Sequence, residues 1–427
     1  MMEGKVNNKF SNLPAGWEVK KLKDVFYINE LALPANTPSD FQFRYIPIEK
    51  VSTNHIDYEN CEQFEFQDAP GRARRIIRQN DILISGVRPN LKSFAIFKKP
   101  DDKNWICSTG FFVLTAKQPE DNLISYYELL SEICGSQFYS LVVGTNYPAI
   151  GDSDIRNIRL MLPSSKEEKT AVANILSKVD EAIVSVQNSI DAAERLKKSL
   201  RQNLLTGKMK PDGTFRTPDE FYIDEKFGKV PTGWEVKKLK DIAQIQRGKF
   251  GHRPRNDERF YNGDFPFVQT GDVVESVFFL KGASQSLNAL GASVSRSFPV
   301  NTIIMTIAAN IGFVALTRYE VFFPDSLIGI NAKEDVINPS YLLLHLMRYK
   351  NILDAQATES AQKNINYSNL RPLPILFPTK KEEQLQITNK VIAIFSEIDS
   401  KKTKIKILEQ LKKSLMQNLL TGKINIL

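Results

Sequence analysis

The sequence predicts a mixed α/β (α+β) protein built as a pseudo-twofold tandem repeat, with two α/β domains separated by two long helices that form an antiparallel coiled coil. Three observations predict it. Distinct segments recur at a near-constant spacing. The closing segment of each half carries apolar residues at helical spacing. The segments between carry short β-branched and aromatic runs broken by Gly, Pro and Asn.

The repeat comes first. GWEVKKLKD at Gly16–Asp24 recurs letter for letter at Gly233–Asp241, an offset of 217. LKKSLRQNLLTGK at Leu196–Lys208 recurs as LKKSLMQNLLTGK at Leu411–Lys423, an offset of 215. Between them, LPSSKEE at Leu162–Glu168 matches FPTKKEE at Phe377–Glu383 at the same offset of 215. Each half therefore has a shared opening, a divergent middle and a shared tail, and the middles have nearly equal length. The implied partition is a first domain over 1–162, a helix over 163–209, a linker over 210–229, a second domain over 230–377 and a second helix over 378–427.

The tails read as helices. Ser164 and Thr379 are each followed three residues later by Glu167 or Glu382, the pattern of a reciprocal cap. Apolar residues then follow at spacings of three and four: Val172, Leu176, Val179, Ile183, Val186, Ile190, Ala193, Leu196, Leu200 and Leu204, matched by Ile387, Val391, Ile394, Ile398, Ile405, Leu408, Leu411, Leu415 and Leu419. Lys401 breaks the second stripe. Gly207 and Gly422 are placed as C-terminal caps. A stripe of this kind seeks a partner helix. The predicted seam uses Val172, Val179, Ile183, Ile190 and Leu200 against Ile387, Ile394, Ile398, Ile405 and Leu415. At 1.5 Å per residue each helix is roughly 58 Å long. Antiparallel pairing lets the polar linker Lys210–Lys229 stay short, whereas parallel pairing would make it span back along the helix. Packing of each tail onto its own domain, or onto another subunit, is the alternative.

The middles read as mixed α/β. Strand patterns cover Tyr45–Val51, Asp81–Val87, Phe94–Phe97 and Phe111–Thr115, then Phe267–Val274, Thr302–Ile307, Gly312–Leu316 and Leu327–Ile330. Helical patterns follow near Ser125–Val142 and Pro339–Gln356. DILIS at Asp81–Ser85 aligns with TIIMT at Thr302–Thr306, so one fold is expected twice with different surfaces.

Basic residues cluster in both middles. Arg72, Arg74, Arg75 and Arg78 fall in a seven-residue window without an acid, followed by Arg88, Asn90 and Lys92. In the second domain Arg247, Lys249, His252, Arg253, Arg255 and Arg259 share one loop-like stretch with Gly248, Gly251 and Pro254. Arginine pairs in bidentate fashion with guanine and phosphate, and Asn or Gln with adenine. A further candidate surface precedes each tail: Asn146 and Tyr147 in the first half, and Gln362, Lys363 and Asn364 in the second. A solvated basic face or ordinary turns would use the same residue types. Their repetition in both domains favours DNA.

Composition narrows the function. A chain of 427 residues, 42% hydrophobic and 25% charged, suits two or three folded domains. The net charge of +8 is modest, so an anionic partner must meet local patches. Cys61, Cys107 and Cys134, like His55, His252 and His345, are scattered, which argues against zinc or a disulfide framework and for a reducing cytoplasm. No secretory signal or membrane span is expected; the uncharged run Ser297–Thr317 reads as two buried strands around a turn. No P-loop and no Asn/Asp-Pro-Pro-Tyr string is present. Pro218-Asp219 before Asp224-Glu225-Lys226 looks superficially like a nuclease set, but falls in the polar linker. No catalytic residue is expected.

The layout resembles that of type I restriction–modification specificity subunits. Each half opens with Pro-x-Gly-Trp-x-x-x-x-Leu (Pro14 to Leu22; Pro231 to Leu239), and each tail helix is reached through Pro-x-x-x-Glu-Glu (Pro163 to Glu168; Pro378 to Glu383). That family has Glu-Gln at the last position; here Gln384 follows Glu383, but Lys169 follows Glu168. The resemblance implies two target-recognition domains, each reading half of a split double-stranded DNA target, with the helices setting the unread gap. It implies two methyltransferase (M) subunits and restriction (R) subunits as partners. S-adenosylmethionine, ATP and Mg would belong to those partners, and this chain would hold no cofactor. A coiled-coil scaffold that binds only proteins is the competing reading.

Overall fold

The computed structural model describes residues 10, 13–141, 149–252, 256–308, 310–358, 365–424 and 426. It divides into two compact units, Met1–Val186 with Lys404–Leu427, and Gln187–Thr403.

The first unit starts from a left-handed turn at Gly16, φ +78°. This turn launches the strand Trp17–Lys21, which pairs antiparallel with Arg159–Pro163 from Trp17↔Pro163 to Lys21↔Arg159. The shared opening is thus zipped to the residues that lead into the tail. Between them lie two four-stranded sheets. One is antiparallel, in the order Phe26–Ile28, Phe111–Ala116, Ile82–Ser85, Phe94–Ile96. The other runs Gln63–Glu65, Gln42–Ile46, Trp105–Ser108, Ala73–Ile76 and holds one parallel pair, Trp105–Ser108 with Gln42–Ile46. Helices Pro119–Leu130 and Glu132–Leu141 follow.

The second unit repeats this plan. Gly233, φ +81°, opens the strand Trp234–Lys238, which pairs with Pro374–Pro378. An antiparallel sheet runs Ala243–Arg247, Leu327–Ala332, Ile303–Thr306, Val314–Leu316. A second sheet runs Gln285–Leu287, Tyr261–Phe267, Val321–Phe322, Ser297–Phe298, again with one parallel pair. The aligned segments Ile82–Ser85 and Ile303–Thr306 are both wholly buried interior strands. The hydrophobic run around Ser297–Thr317 forms antiparallel strands, as its sequence predicts.

Three local expectations are corrected. Phe267–Val274 is not a strand: Thr270–Glu275 is helical, because Asp272 accepts the Gln269 N–H at 2.8 Å and caps the turn. The cap of the first long helix is Ser165 rather than Ser164; its hydroxyl accepts the Glu168 N–H at 3.2 Å. Ser164 and Thr379 instead tie the helix approach to the opening turns, through N–H bonds to Gly16 O at 2.7 Å and Gly233 O at 2.9 Å. The linker also holds a hairpin, Phe221–Asp224 with Gly228–Pro231. Asp224 there caps the turn by accepting the Lys226 and Phe227 N–H groups.

The tails are helices over Lys166–Leu205 and Lys381–Leu419. Both units contain antiparallel helix pairing. In the first, Lys412 lies 2.6 Å from Asp180, and Leu419 and Leu420 enter the core with Val172, Ala173 and Leu176. In the second, Leu204 and Leu205 share a core with Ile387, Val391 and Phe395. Lys401 does not break the seam: it donates to Ser189 Oγ at 2.8 Å and to Glu397 at 2.6 Å. Of the predicted seam, Val172, Ile190, Ile387, Ile394 and Ile398 are buried, and Val179, Ile183, Leu200, Ile405 and Leu415 are half-buried. Leu196 and Leu411, members of the stripes, face outward at 52% and 46% exposure. The helix ends close on the openings. A Cβ at Gly207 would lie 2.2 Å from Pro231 Cγ, and one at Gly422 2.4 Å from Pro14 Cγ, so only glycine fits these left-handed caps.

Candidate nucleic-acid interface

In the first unit the arginine run lies on the edge strand Ala73–Ile76. The pairing register jumps from Cys107↔Arg75 to Ser108↔Ala73, so Arg74 is the extra residue of a bulge. The bulge sends successive arginines to different places. Arg74 stacks 4.6 Å from the Phe66 ring centroid and donates to Ala73 O at 2.8 Å. Arg75 pairs in register with buried Cys107, and its Nε is buried. Arg72 and Arg78 are exposed, with Arg78 3.6 Å from Glu30.

The loop after Ile82–Ser85 is more sharply shaped. Arg88 and Lys92 both adopt left-handed backbone, φ +48° and +50°, on either side of buried Pro89. Such conformations are strained for residues other than glycine and collect at functional sites. Arg88, Asn90 and Leu91 are displayed on the surface. Lys92 is a correction to the sequence reading. Its ammonium turns inward to the carbonyls of Leu130 and Ser131, at a helix C-terminus that favours a cation, so it anchors the loop rather than offering a charge. Desolvation lowers its pKa.

In both units this loop is tied to a residue that comes shortly after the second candidate segment in the sequence. Ile150 N–H donates to Gly86 O at 3.0 Å, and in the second unit Ile365 N–H donates to Ile307 O at 3.1 Å. Both domains thus join the loop after the buried strand to the residue that follows the amide-rich segment. Asn146, Tyr147, Gln362, Lys363 and Asn364 themselves lie outside the described residues, as do Arg253 and Arg255.

The basic stretch of the second unit is partly engaged within the protein. Arg247 donates through Nε to Asp325 O at 2.5 Å. His252 stacks on Phe260, ring centroids 4.1 Å apart, and its Nε2 lies 2.9 Å from Asp257 Oδ2. Asp257 also holds Arg259 at 2.7 Å, and chiefly this bond keeps its carboxyl far below the usual range. Lys249 is exposed. Exposed Arg296 joins this surface, donating to Arg247 O at 2.7 Å. It lies 49 residues away in the chain, and no local signal marked it.

No group of His, Cys, Asp and Glu able to hold a metal occurs among the described residues. The three cysteines are buried, and desolvation pushes the Cys61 thiol up to about 11. Neither Glu128 nor His345, both buried, reaches solvent. The described surface is suited to binding anions through Arg, Lys and Asn.

Comparison with known proteins decides the family. The model of the type I restriction modification DNA specificity domain matches twice, over residues 14–195 and 231–412. The chain belongs to this family. It is similar to the type I restriction enzyme HindI specificity subunit of Haemophilus influenzae, 23% identical with 86% of this chain and 91% of that one covered. It is also similar to the MjaVIII specificity subunit of Methanocaldococcus jannaschii, 26% identical over 97% of this chain and 94% of that one. Among solved structures, the type I restriction–modification S subunit from M. genitalium shares the fold, with a TM-score of 0.60, 14% identity and 96% of each chain covered.

As a type I specificity subunit, the chain carries its shared motifs at the base of each domain. Trp17 Nε1 donates to Glu168 Oε1 at 3.2 Å, and Trp234 Nε1 donates to Glu383 Oε1 at 3.2 Å. The opening tryptophan thus locks onto the first turn of the domain's own long helix. No helix is long and apolar enough to cross a membrane among the described residues.

Proposed function

We propose that each α/β domain of this specificity subunit reads one half of a bipartite double-stranded DNA target. The observation that carries this reading is one sheet plan used twice, with different basic loops mounted on matching bases. A shared base suits a partner met twice; differing loops suit two different DNA words. In the first domain the Arg88–Leu91 loop, with Arg72 and Arg78, supplies the reading surface. In the second, Lys249 and Arg296 flank the loops. Cationic contacts to phosphate set register and most of the affinity, while contacts to base edges set sequence.

The helices act as the spacer that fixes the unread gap, and the repeated bases dock two methyltransferase subunits. The chain performs no chemistry. S-adenosylmethionine, ATP and Mg act on the methyltransferase and restriction subunits, and the assembly works in the cytoplasm. Methylome sequencing of cells expressing the chain with its methyltransferase tests the reading. Two short methylated words at a fixed gap are expected, and deleting one heptad from both helices should change the gap and leave the words intact. Absence of methylation, with no salt-sensitive DNA binding by the purified complex, would return the protein-only scaffold.

A further inference from the structure

The two copies of the most strongly repeated segment do not carry the same charge. Within Leu196–Lys208 and Leu411–Lys423 the one difference is Arg201 against Met416, and the residue just before is Arg195 against Gln410. The surroundings amplify the difference. In the first unit Lys412 is matched by Asp180 at 2.6 Å, both largely buried. Lys413 lies 3.7 Å from Glu132, which also accepts from Gln417 at 3.4 Å. That helix end is electrostatically settled.

The second unit replaces these acids. Phe395 stands 215 residues after Asp180, and the Lys197 ammonium lies 4.9 Å from its ring centroid. The neighbouring single turn Met347–Tyr349 carries Arg348, which donates to Leu205 O at 3.4 Å. Arg201 is half-buried, and both desolvation and the nearby Arg348 disfavour its charge. Arg195, Lys197, Lys198 and Arg201 line one shallow depression, in which Glu194 supplies the carboxylate. Glu194 is already shared between Lys197 and Lys402. Like charges held this close cost free energy unless an anion joins them.

The cluster continues toward the loops. Lys350 follows Arg348 by two residues, and its ammonium lies 4.4 Å from the Phe313 ring centroid. A Cβ at Gly312, in the loop after the buried strand Ile303–Thr306, would come 3.0 Å from Lys350 Cα. Cations thus run from that loop onto the helix pair.

We infer that this strip is a phosphate track for the duplex segment adjoining the half-site read by the second domain, and that the first unit has no equivalent. The inference rests on the proposed DNA reading. Exposed Leu196 and Leu411 are common to both units and suit a partner that docks twice. The arginines occur in one unit only, so they serve what differs between the halves, which is the DNA.

The internal repeat supplies the test. Arg195→Gln with Arg201→Met installs residues that already occupy the same helical turn in the first unit. For the complex with its methyltransferase, on a duplex carrying the methylated target, the slope of log affinity against log salt should become shallower by about one to two. The methylated sequence should not change. Methylphosphonates replacing the gap phosphates beside the second half-site should reproduce the loss in the wild type and add nothing in the variant. Gln410→Arg with Met416→Arg should steepen the slope. Equal slopes for variant and wild type would overturn the inference, as would loss of methyltransferase association without DNA. A wild-type complex whose DNA binding ignores salt would overturn the DNA reading as well.

Discussion

The two halves of this specificity subunit solve one junction with different chemistry. In the first, Lys169 of the long helix lies 2.6 Å from Asp121, and both side chains are under 9% exposed. In the second, Gln384 takes the place of Lys169. Its Oε1 accepts the Asn338 N–H at 2.7 Å, and its Nε2 donates to Pro378 O at 2.8 Å. An ion pair in one half and an amide clamp in the other hold the same helix to the same domain element. What the fold requires here is a satisfied polar bridge, not a particular residue. Lys169, standing where the second half has glutamine, is therefore matched by Asp121.

Breaking that bridge should give the largest effect. Lys169→Ala leaves the Asp121 carboxylate buried and unpaired, with an expected loss of about 3–5 kcal/mol. Gln384→Ala leaves neutral groups unsatisfied and should cost less, about 1–3 kcal/mol. Denaturant titrations of the full chain measure both. Lys169→Gln with Asp121→Asn replaces the ion pair by two neutral amides that can bond each other and should recover most of the loss; a double variant no better than Lys169→Ala would show that a neutral bridge cannot stand in for the ion pair at this junction.

The tryptophan–glutamate bonds come next. They are alike in length, but Glu383 carries an added duty, since Arg216 of the linker lies 2.5 Å from it with its side chain only 8% exposed. Glu168→Gln should cost about 1 kcal/mol, and Glu383→Gln about 2–3 kcal/mol because a charge-assisted bond to a buried guanidinium is also lost. Equal losses in unfolding titrations would remove Arg216 from the account.

Much of this architecture was legible because its signals are local or repeated. The helices follow from apolar spacing, and the buried strands from uncharged runs such as Ile82–Ser85. What escaped depends on contacts distant in sequence. Lys92 reads as a surface cation until the helix end at Leu130 and Ser131 is placed beside it. Arg75 joins a basic run in sequence, yet beside a one-residue bulge its Nε is buried. Leu196 belongs to a helical stripe, but beyond Ala193 the core is reached by Leu200 and Leu204, leaving Leu196 on the outer edge.

Each half also buries a titratable group on the helix that meets this junction. The first places Glu128 there, and burial pushes its pKa up to about 8, while Oε1 accepts the Met161 N–H at 3.3 Å. The second places His345, whose pKa burial lowers to about 3, with Nε2 3.3 Å from the Tyr341 hydroxyl. Both are held neutral near pH 7, and their linkages to stability run in opposite directions. Folded Glu128 keeps a proton that the unfolded chain releases above 4.5, so its contribution is present below that pH and is lost as pH rises through about 8. Folded His345 refuses a proton that the unfolded chain takes up below 6.5, so its contribution is present above that pH and is lost as pH falls toward 3. Glu128→Gln should therefore flatten the alkaline limb of a stability–pH profile and leave the acid limb, while His345→Gln should do the reverse. An alkaline limb unchanged by Glu128→Gln would mean that this carboxyl is already ionised in the folded protein.

The smallest effect is expected where the helices match most closely. Leu196 and Leu411 are about half exposed, so truncating either to alanine should shift unfolding by no more than about 0.5 kcal/mol. Buried Ile190 and Ile398 should each lose about 2–5 kcal/mol on the same truncation. If the exposed leucines are the docking points shared by both bases, Leu196→Ala and Leu411→Ala should each weaken methyltransferase association by a similar factor, measured by titrating the methyltransferase into the variant without DNA. A single leucine that mattered while its repeat did not would show that equal sequence does not give equal docking.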